Sequence, residues 1–191
     1  MSVWAERALI PVLVCLGSYA AGCLIGAYYL VRWRTGKDLR ALGSGNPGAT
    51  NAGRVLGRSG FVLALLIDAG KGSVVTVSAR ALGAGSAVLG VAMVAVVAGH
   101  VWPVQLGFRG GKGAATALGL LAVYDLKVSA VLLICLGLLY AVTRRLDASG
   151  LPTLVLAPLA AGMLGKDAAA VTALTAVAAI VYWAHFARRA A

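Results

Sequence analysis

The chain has 191 residues, of which 61% are hydrophobic and 12% charged, with a mean hydropathy of +0.91 and a formal net charge of +11 at pH 7. A soluble domain carries about 25% charged residues, so lipid is the main solvent of this chain, which has room for a single membrane domain over 1–191. The basic excess would suggest nucleic acid in a soluble protein, but here the lysines and arginines lie between apolar runs, so anionic headgroups and phosphates are the expected partners and nucleic acid is not.

The N-terminus lacks a basic n-region and an A-x-A-like cleavage site, so the first apolar run, near 8–31, reads as a retained span. Further runs that read as spans lie near 61–79, 84–103, 128–142 and 168–187, with two shorter ones near 114–124 and 150–165. The polar loops then fall at 32–60, 80–83, 104–113, 125–127, 143–149 and 166–167. One set of alternate loops and the C-terminus hold Arg32, Arg34, Lys37, Arg40, Arg54, Arg58, Arg109, Lys112, Arg144, Arg145, Arg188 and Arg189. The other side holds only Arg7, Arg80, Lys127 and Lys166. Cytoplasmic loops carry the excess of Lys and Arg. The expected fold is therefore all-α: seven short transmembrane helices, N-terminus outside and C-terminus cytoplasmic. Cys15, Cys23 and Cys135 sit in apolar runs without metal spacing and read as packing residues.

The first long loop contains Gly43-Ser44-Gly45-Asn46-Pro47-Gly48-Ala49-Thr50-Asn51, then Arg54. Glycines let backbone turn sharply and approach an anion. Ser44, Asn46, Thr50 and Asn51 add short neutral donors, and Arg54 can grip a phosphate through two parallel hydrogen bonds. The bland alternative is an ordinary polar turn. Asp68 and Lys71 follow inside the second span, three residues apart, and can pair with each other. They read as a structural brace for the loops rather than as substrate contacts.

The second loop runs from Gly99-His100-Val101-Trp102-Pro103 to Phe108-Arg109-Gly110-Gly111-Lys112-Gly113-Ala114-Ala115-Thr116 and opens the next span. Backbone N–H groups at a helix start point at whatever lies before it, and Lys112 among glycines is a point charge placed for phosphate. The loop is not a Walker A motif, because Gly113 follows Lys112 and the earlier glycine is missing at the required spacing. His100 is either a helix-end residue bonding a carbonyl or a substrate contact. No G-x-S-x-G elbow appears, two histidines and scattered acids give no metal cluster, and no cofactor is implied. Gln105, five residues beyond His100, rules out a His-x4-Asp acyltransferase dyad. What remains is rich in phosphate grips and poor in bases, which suits an activated substrate or one that brings its own base.

With Gly17-Ser18, Asp38 with Arg40, the run from Gly43 to Asn51 with Arg54 and Leu56-Gly57, Asp68-x-x-Lys71-Gly72, Gly99-His100 with Pro103, and Phe108-x-Gly110-Gly111-Lys112-Gly113-x-Ala115-Thr116, the chain resembles the PlsY family of integral-membrane acyl-phosphate:glycerol-3-phosphate acyltransferases. The matching positions cover roughly 15–120. The resemblance implies a seven-span protein of the bacterial inner membrane with a cytoplasmic site. It implies transfer of a fatty acyl group from acyl phosphate to the 1-hydroxyl of glycerol 3-phosphate, giving lysophosphatidic acid. Ser44, Asn46, Arg54 and Lys112 would hold phosphate or acyl phosphate, with Gly45, Thr50, Asn51, His100, Gly110, Gly111, Gly113, Thr116 and His185 completing the binding set. Lys112 and Arg54 would act electrostatically, and no residue would act as general base, the acceptor's own phosphate taking the proton. Three places depart from the family pattern: Tyr19-Ala20 after Gly17-Ser18, Asp147 where a serine is expected, and Arg188 in place of an asparagine three residues after His185. The competing readings are a paralogue with another phosphorylated acceptor and a non-catalytic transporter or lipid-binding protein.

Overall fold

The computed structural model describes residues 3–187, with side chains from 9–145 and 148–187. The chain forms α1 (Val3–Cys23), α2 (Gly26–Thr35), α3 (Ala49–Ala81), α4 (Ser86–Val101), α5 (Ala114–Tyr124), α6 (Leu126–Thr143), α7 (Leu146–Val155), α8 (Ala157–Met163) and α9 (Ala168–Ala187), with 3-10 turns at Leu39–Ala41 and Val104–Leu106. Five stretches are long and apolar enough to cross a bilayer: Leu9–Thr35, Ala49–Ala81, Ser86–Leu106, Leu126–Thr143 and Ala168–Ala187. Two shorter apolar stretches, Ala114–Tyr124 and Ala148–Met163, match the two short runs of the sequence. Every apolar run is helical, as expected.

The boundaries differ where polar residues enter helices. The first run is broken at Leu24 and Ile25 into α1 and α2. The expected loop 32–60 shrinks, because α2 continues to Thr35 and α3 starts at Ala49. Gly57, at φ 76° and ψ −167°, kinks α3, separating the turns that carry Asn51 and Arg54 from the apolar shaft. Hydropathy sees only the shaft. The loop expected over 143–149 likewise gives way to α7 at Leu146.

Packing follows membrane rules, with small residues at the crossings. A Cβ on Gly22 or Gly99 would overlap the backbone of the other helix of the α1–α4 crossing, and one on Gly72 or Gly119 would do the same between α3 and α5. A core of Met93, Val96, Val97, Leu120, Leu174, Val177 and Val181 joins α4, α5 and α9. A second core, with Ile25, Val31, Leu39, Ala52, Ala64 and Leu106, packs α2 and the first long loop on α3. Leu13, Leu16, Leu66, Leu133, Ile134 and Leu138 remain exposed, the outward apolar face that lipid solvates.

At one end of the bundle, Arg80 donates to the carbonyls of Val123 and Tyr124, Lys166 pairs with Asp125, and Ser86 donates to Asp167 (2.7 Å). Asp125 caps α6 through Lys127 N and Val128 N, and Asp167 caps α9 through Ala170 N. The loops expected to share the charge-poor side therefore do meet.

Gly70 and Gly72 lie two residues apart on α3 and face different surroundings. A Cβ on Gly70 meets nothing within 4 Å, whereas one on Gly72 would strike the backbone of Thr116 and Leu120. Gly72→Ala should destabilise the purified protein by about 1–3 kcal/mol, while Gly70→Ala should be neutral or slightly stabilising. Thermal unfolding in one detergent checks this; equal melting temperatures would contradict the α3–α5 crossing.

Candidate functional site

The first loop is a rigid clip. α2 ends at Gly36, in the left-handed conformation, and Asp38 caps the turn that follows, accepting from Arg40 N at 2.8 Å. Arg40 grips the Asp38 carboxylate through Nε and Nη2 and donates its remaining Nη1 to the carbonyl of Leu106 in the second loop, 2.8 Å away. These hydrogen bonds from Arg40 hold the Asp38 carboxyl below its ordinary range. With that sign, the clip stabilises the fold at neutral pH and is lost only as pH falls through the depressed carboxyl range.

Gly43 and Gly45 then take positive φ, 56° and 71°, and a side chain on Gly43 would run into the amide oxygen of Asn51. Asn51 is 1% exposed and fully used: Oδ1 accepts from Ser44 N (2.9 Å), and Nδ2 donates to Leu42 O (2.8 Å) and Leu39 O (3.3 Å). Expected among the phosphate donors, it fastens the loop's backbone from beneath. Ser44, Thr50 and Arg54 are exposed, the last two one helical turn apart on the same face of α3. Asn46 folds its amide over Gly48, leaving Oδ1 buried without a hydrogen-bond partner. Gly48 caps the N-terminus of α3 without a side-chain hydrogen bond.

The second loop folds back on the end of α4. Gly110 N donates to Val101 O (3.1 Å) and Gly111 N to His100 O (3.0 Å). A Cβ on Gly110 would collide with His100 O, and one on Gly111 with His100 Nε2, so this seat admits only glycine. Phe108 sits at φ 60°, sparsely populated for a bulky residue. Gly113, at φ 81°, opens α5 with no side-chain cap, and Lys112 lies half-buried just before it. Thr116 was expected at the substrate. It is fully buried, its hydroxyl 3.3 Å from His100 Nδ1.

Beneath both loops lies a buried charged cluster. Lys71 Nζ donates to Gly22 O (2.9 Å), Leu24 O (2.7 Å) and Asp68 Oδ1 (3.0 Å), and stands 2.8 Å from His100 Nδ1. Asp68 Oδ1 also accepts Gly26 N at 3.0 Å. Lys71 thus satisfies carbonyls at the end of α1, and Asp68 the first N–H of α2. The expected brace is present, and what it braces is the helix break. Gln105 Nε2 donates to Cys23 O (2.6 Å) and Tyr19 hydroxyl to Trp102 O (2.6 Å), tying the second loop to the same place.

The last helix closes the site. Val181 packs against Gly113, Trp183 against Trp102 (centroids 5.2 Å apart), and His185, 8% exposed, lies one turn beyond Val181. An apolar groove of about 660 Å³ between α6, α7 and α9 includes Leu151, Tyr182 and Phe186, with Arg145 and His185 as its polar members. The Asp147 side chain and Arg188, where the sequence departs from the family pattern, lie outside the described residues. Among the described residues no three His, Cys, Asp or Glu side chains gather as a metal site, and the three cysteines are unpaired.

The structure thus joins the two glycine loops through Arg40, and His100, Gly111 and Thr116 through direct contact. Ser44, Thr50 and Arg54 stay on the exposed side of the first loop, and His185 on α9. Sequence reasoning missed the bridging role of Arg40 and the contribution of Gln105. An arginine two residues after an aspartate was the available signal for the first; nothing local marked the second.

A family model described as glycerol-3-phosphate acyltransferase matches residues 12–190. Glycerol-3-phosphate acyltransferase 1 of Desulfitobacterium hafniense is 38% identical over 181 residues, covering 94% of this chain and 89% of that protein. The glycerol-3-phosphate acyltransferase of Pseudomonas paraeruginosa is 41% identical over 175 residues, covering 91% and 90%. Among solved structures, the integral membrane glycerol 3-phosphate acyltransferase PlsY (YgiH) in its glycerol 3-phosphate form superposes with a TM-score of 0.84 at 28% identity, covering 92% of this chain and 88% of that one. Its lysophosphatidic acid form gives 0.81 at 25% identity, covering 94% and 90%.

Proposed function

The chain belongs to the glycerol-3-phosphate acyltransferase family, and from that premise we propose that it draws its acyl group from an acyl phosphate and holds both phosphates between its two glycine loops. It is a multi-pass integral membrane enzyme that acylates glycerol 3-phosphate to lysophosphatidic acid. One observation carries the site reading: two glycine loops, each leading into a helix N-terminus without a side-chain cap and each bearing a cation, are clipped together by Arg40 on Leu106 O. Helix N-termini favour anions through exposed N–H groups and the helix dipole.

In this reading Lys112 and Arg54 supply charge, and Ser44, Gly45, Asn46, Thr50, Gly110, Gly111 and Gly113 supply donors and close backbone approach. Asn51, His100 and Thr116 act beneath the loops rather than at the phosphates. The acceptor's hydroxyl oxygen attacks the acyl carbon, the bond from that carbon to the phosphate oxygen breaks, and inorganic phosphate leaves. The hydroxyl proton passes to the acceptor's own phosphate. Asp38 and Asp68 are each committed to a cation, which fits a reaction without a carboxylate base. The donor is a reactive mixed anhydride, so positioning and charge stabilisation are the main work left. A transporter reading fits less well, because the broken helix that such proteins leave open for substrate is here filled by Lys71 and Asp68.

The decisive assay offers purified protein glycerol 3-phosphate with labelled acyl phosphate, acyl thioesters or no donor. Product from acyl phosphate alone is expected; product from a thioester alone would refute the donor. Lys112→Ala removes a charged phosphate partner worth about 1.5–3 kcal/mol, so turnover should fall roughly ten- to a hundred-fold at about 1.4 kcal/mol per decade. Full activity in that variant would remove the centre of the site.

If the acceptor's phosphate is the base, its second ionisation, about pH 6, sets the acidic limb of the kcat profile, with rate falling below it. That limb should persist in His185→Ala and His100→Gln. Its disappearance in either, with a thousand-fold drop in kcat, would make that histidine the base.

Counting both short apolar stretches as crossings gives seven spans, with both glycine loops on the cytoplasmic side and the N-terminus outside, in a bacterial inner membrane. Cysteines placed at Ser59 and Arg109 should react with an impermeant thiol reagent only after the inner face is opened. Labelling from outside intact cells would invert the topology.

A further inference from the structure

We propose that Lys71, with Asp68 and Thr116, positions the reaction's phosphate grip: acting on His100, these residues hold the seat of Gly110 and Gly111 and so the placement of Lys112. The proposal rests on the two-loop site above. It begins with a cost. Burying an ion pair loses the hydration of both charges, so such a pair is poor evidence for stability alone. Lys71 and Asp68 have side chains only 9% and 1% exposed, and Asp68 leaves Oδ2 buried without a partner.

The partners of Lys71 say what else the pair does. Capping the helix break uses Gly22 O, Leu24 O and Asp68. The ammonium also reaches His100 Nδ1 at 2.8 Å, and Thr116 Oγ1 stands 3.3 Å from the same nitrogen. Asp68 Oδ1 lies 3.5 Å from that nitrogen as well. Three polar groups converging on Nδ1 hold the plane of the ring. Nε2 faces Gly111 closely enough to exclude any side chain there, while the carbonyl of His100 receives Gly111 N. The ring is therefore the floor of the loop, and Lys112 is the next residue along it. A ring free to turn would let that floor tilt.

The test compares Lys71→Gln, His100→Asn and their double variant, purified and checked for folding by size exclusion and thermal unfolding. Glutamine keeps two N–H donors for the carbonyls of the break but brings no charge to His100. Misplacement by about 1 Å costs up to a hundred-fold, so folded Lys71→Gln should lose roughly ten- to a hundred-fold in kcat/KM. In the double variant Lys71→Gln should add little beyond His100→Asn, because both act through one ring. Wild-type kcat/KM in folded Lys71→Gln, or losses that multiply in the double variant, would overturn the proposal. If Lys71→Gln does not fold, Thr116→Val removes the other contact to Nδ1 without touching the break; a several-fold loss supports the proposal and unchanged kinetics refute it. Lys112→Ala run alongside separates the two ideas. If it alone impairs turnover, the positioning proposal fails; if it is fully active, the site reading fails first.

Discussion

A break in an apolar helix leaves carbonyls at one broken end and N–H groups at the other that need partners. In this protein the break at Leu24 and Ile25 is that event, and two side chains from α3 answer it: Lys71 on the carbonyls, Asp68 on the N–H of Gly26. The charges also match the helix dipoles, cation at a C-terminus and anion at an N-terminus. The break redirects the chain so that α2 packs with the first long loop on α3, and Gln105 of the second loop reaches Cys23 at the same place. Both glycine loops are thus referred to one buried point.

Above that point the design is stiff. The turns at Gly43, Gly45 and Gly113 take conformations open to glycine at little cost, and the seat of Gly110 and Gly111 has no room for a Cβ. Asn51 spends its amide on loop backbone, and Arg40 divides its guanidinium between the Asp38 carboxylate and the carbonyl of Leu106. A site that works by placing charge rather than by moving protons through a base gains most from such rigidity, because misplacement is the main loss it can suffer.

Much of this was legible in the chain. Hydropathy located all seven apolar runs, since lipid rewards them residue by residue, and the glycine motifs marked both loops because positive φ and close approach need that residue. Helix ends were less legible: the turns carrying Asn51 and Arg54 are polar and lie outside the shaft, so a hydropathy count reads them as loop. The placement of Asn51 and Thr116 is not legible in the sequence for one reason. A short polar side chain next to a glycine loop can face ligand or backbone, and only burial distinguishes the two. The partners of Arg40 and Gln105, 66 and 82 residues away, follow from the tertiary fold and leave no local trace.

α4 is the most enclosed of the five long spans, wedged among α1, α3, α5 and α9, and its last turn carries His100. Synthesis runs from the N-terminus, so α4 is made before α9. The face of Gly90, Val97 and Val101 gains Ala173 and Val181, and Trp102 gains Trp183, only once α9 is in place. The end of the bundle that carries His100 is therefore completed by a helix made after both glycine loops. A chain truncated before α9 would keep both glycine loops and lack the wall of Val181 and Trp183 that packs against Gly113 and Trp102.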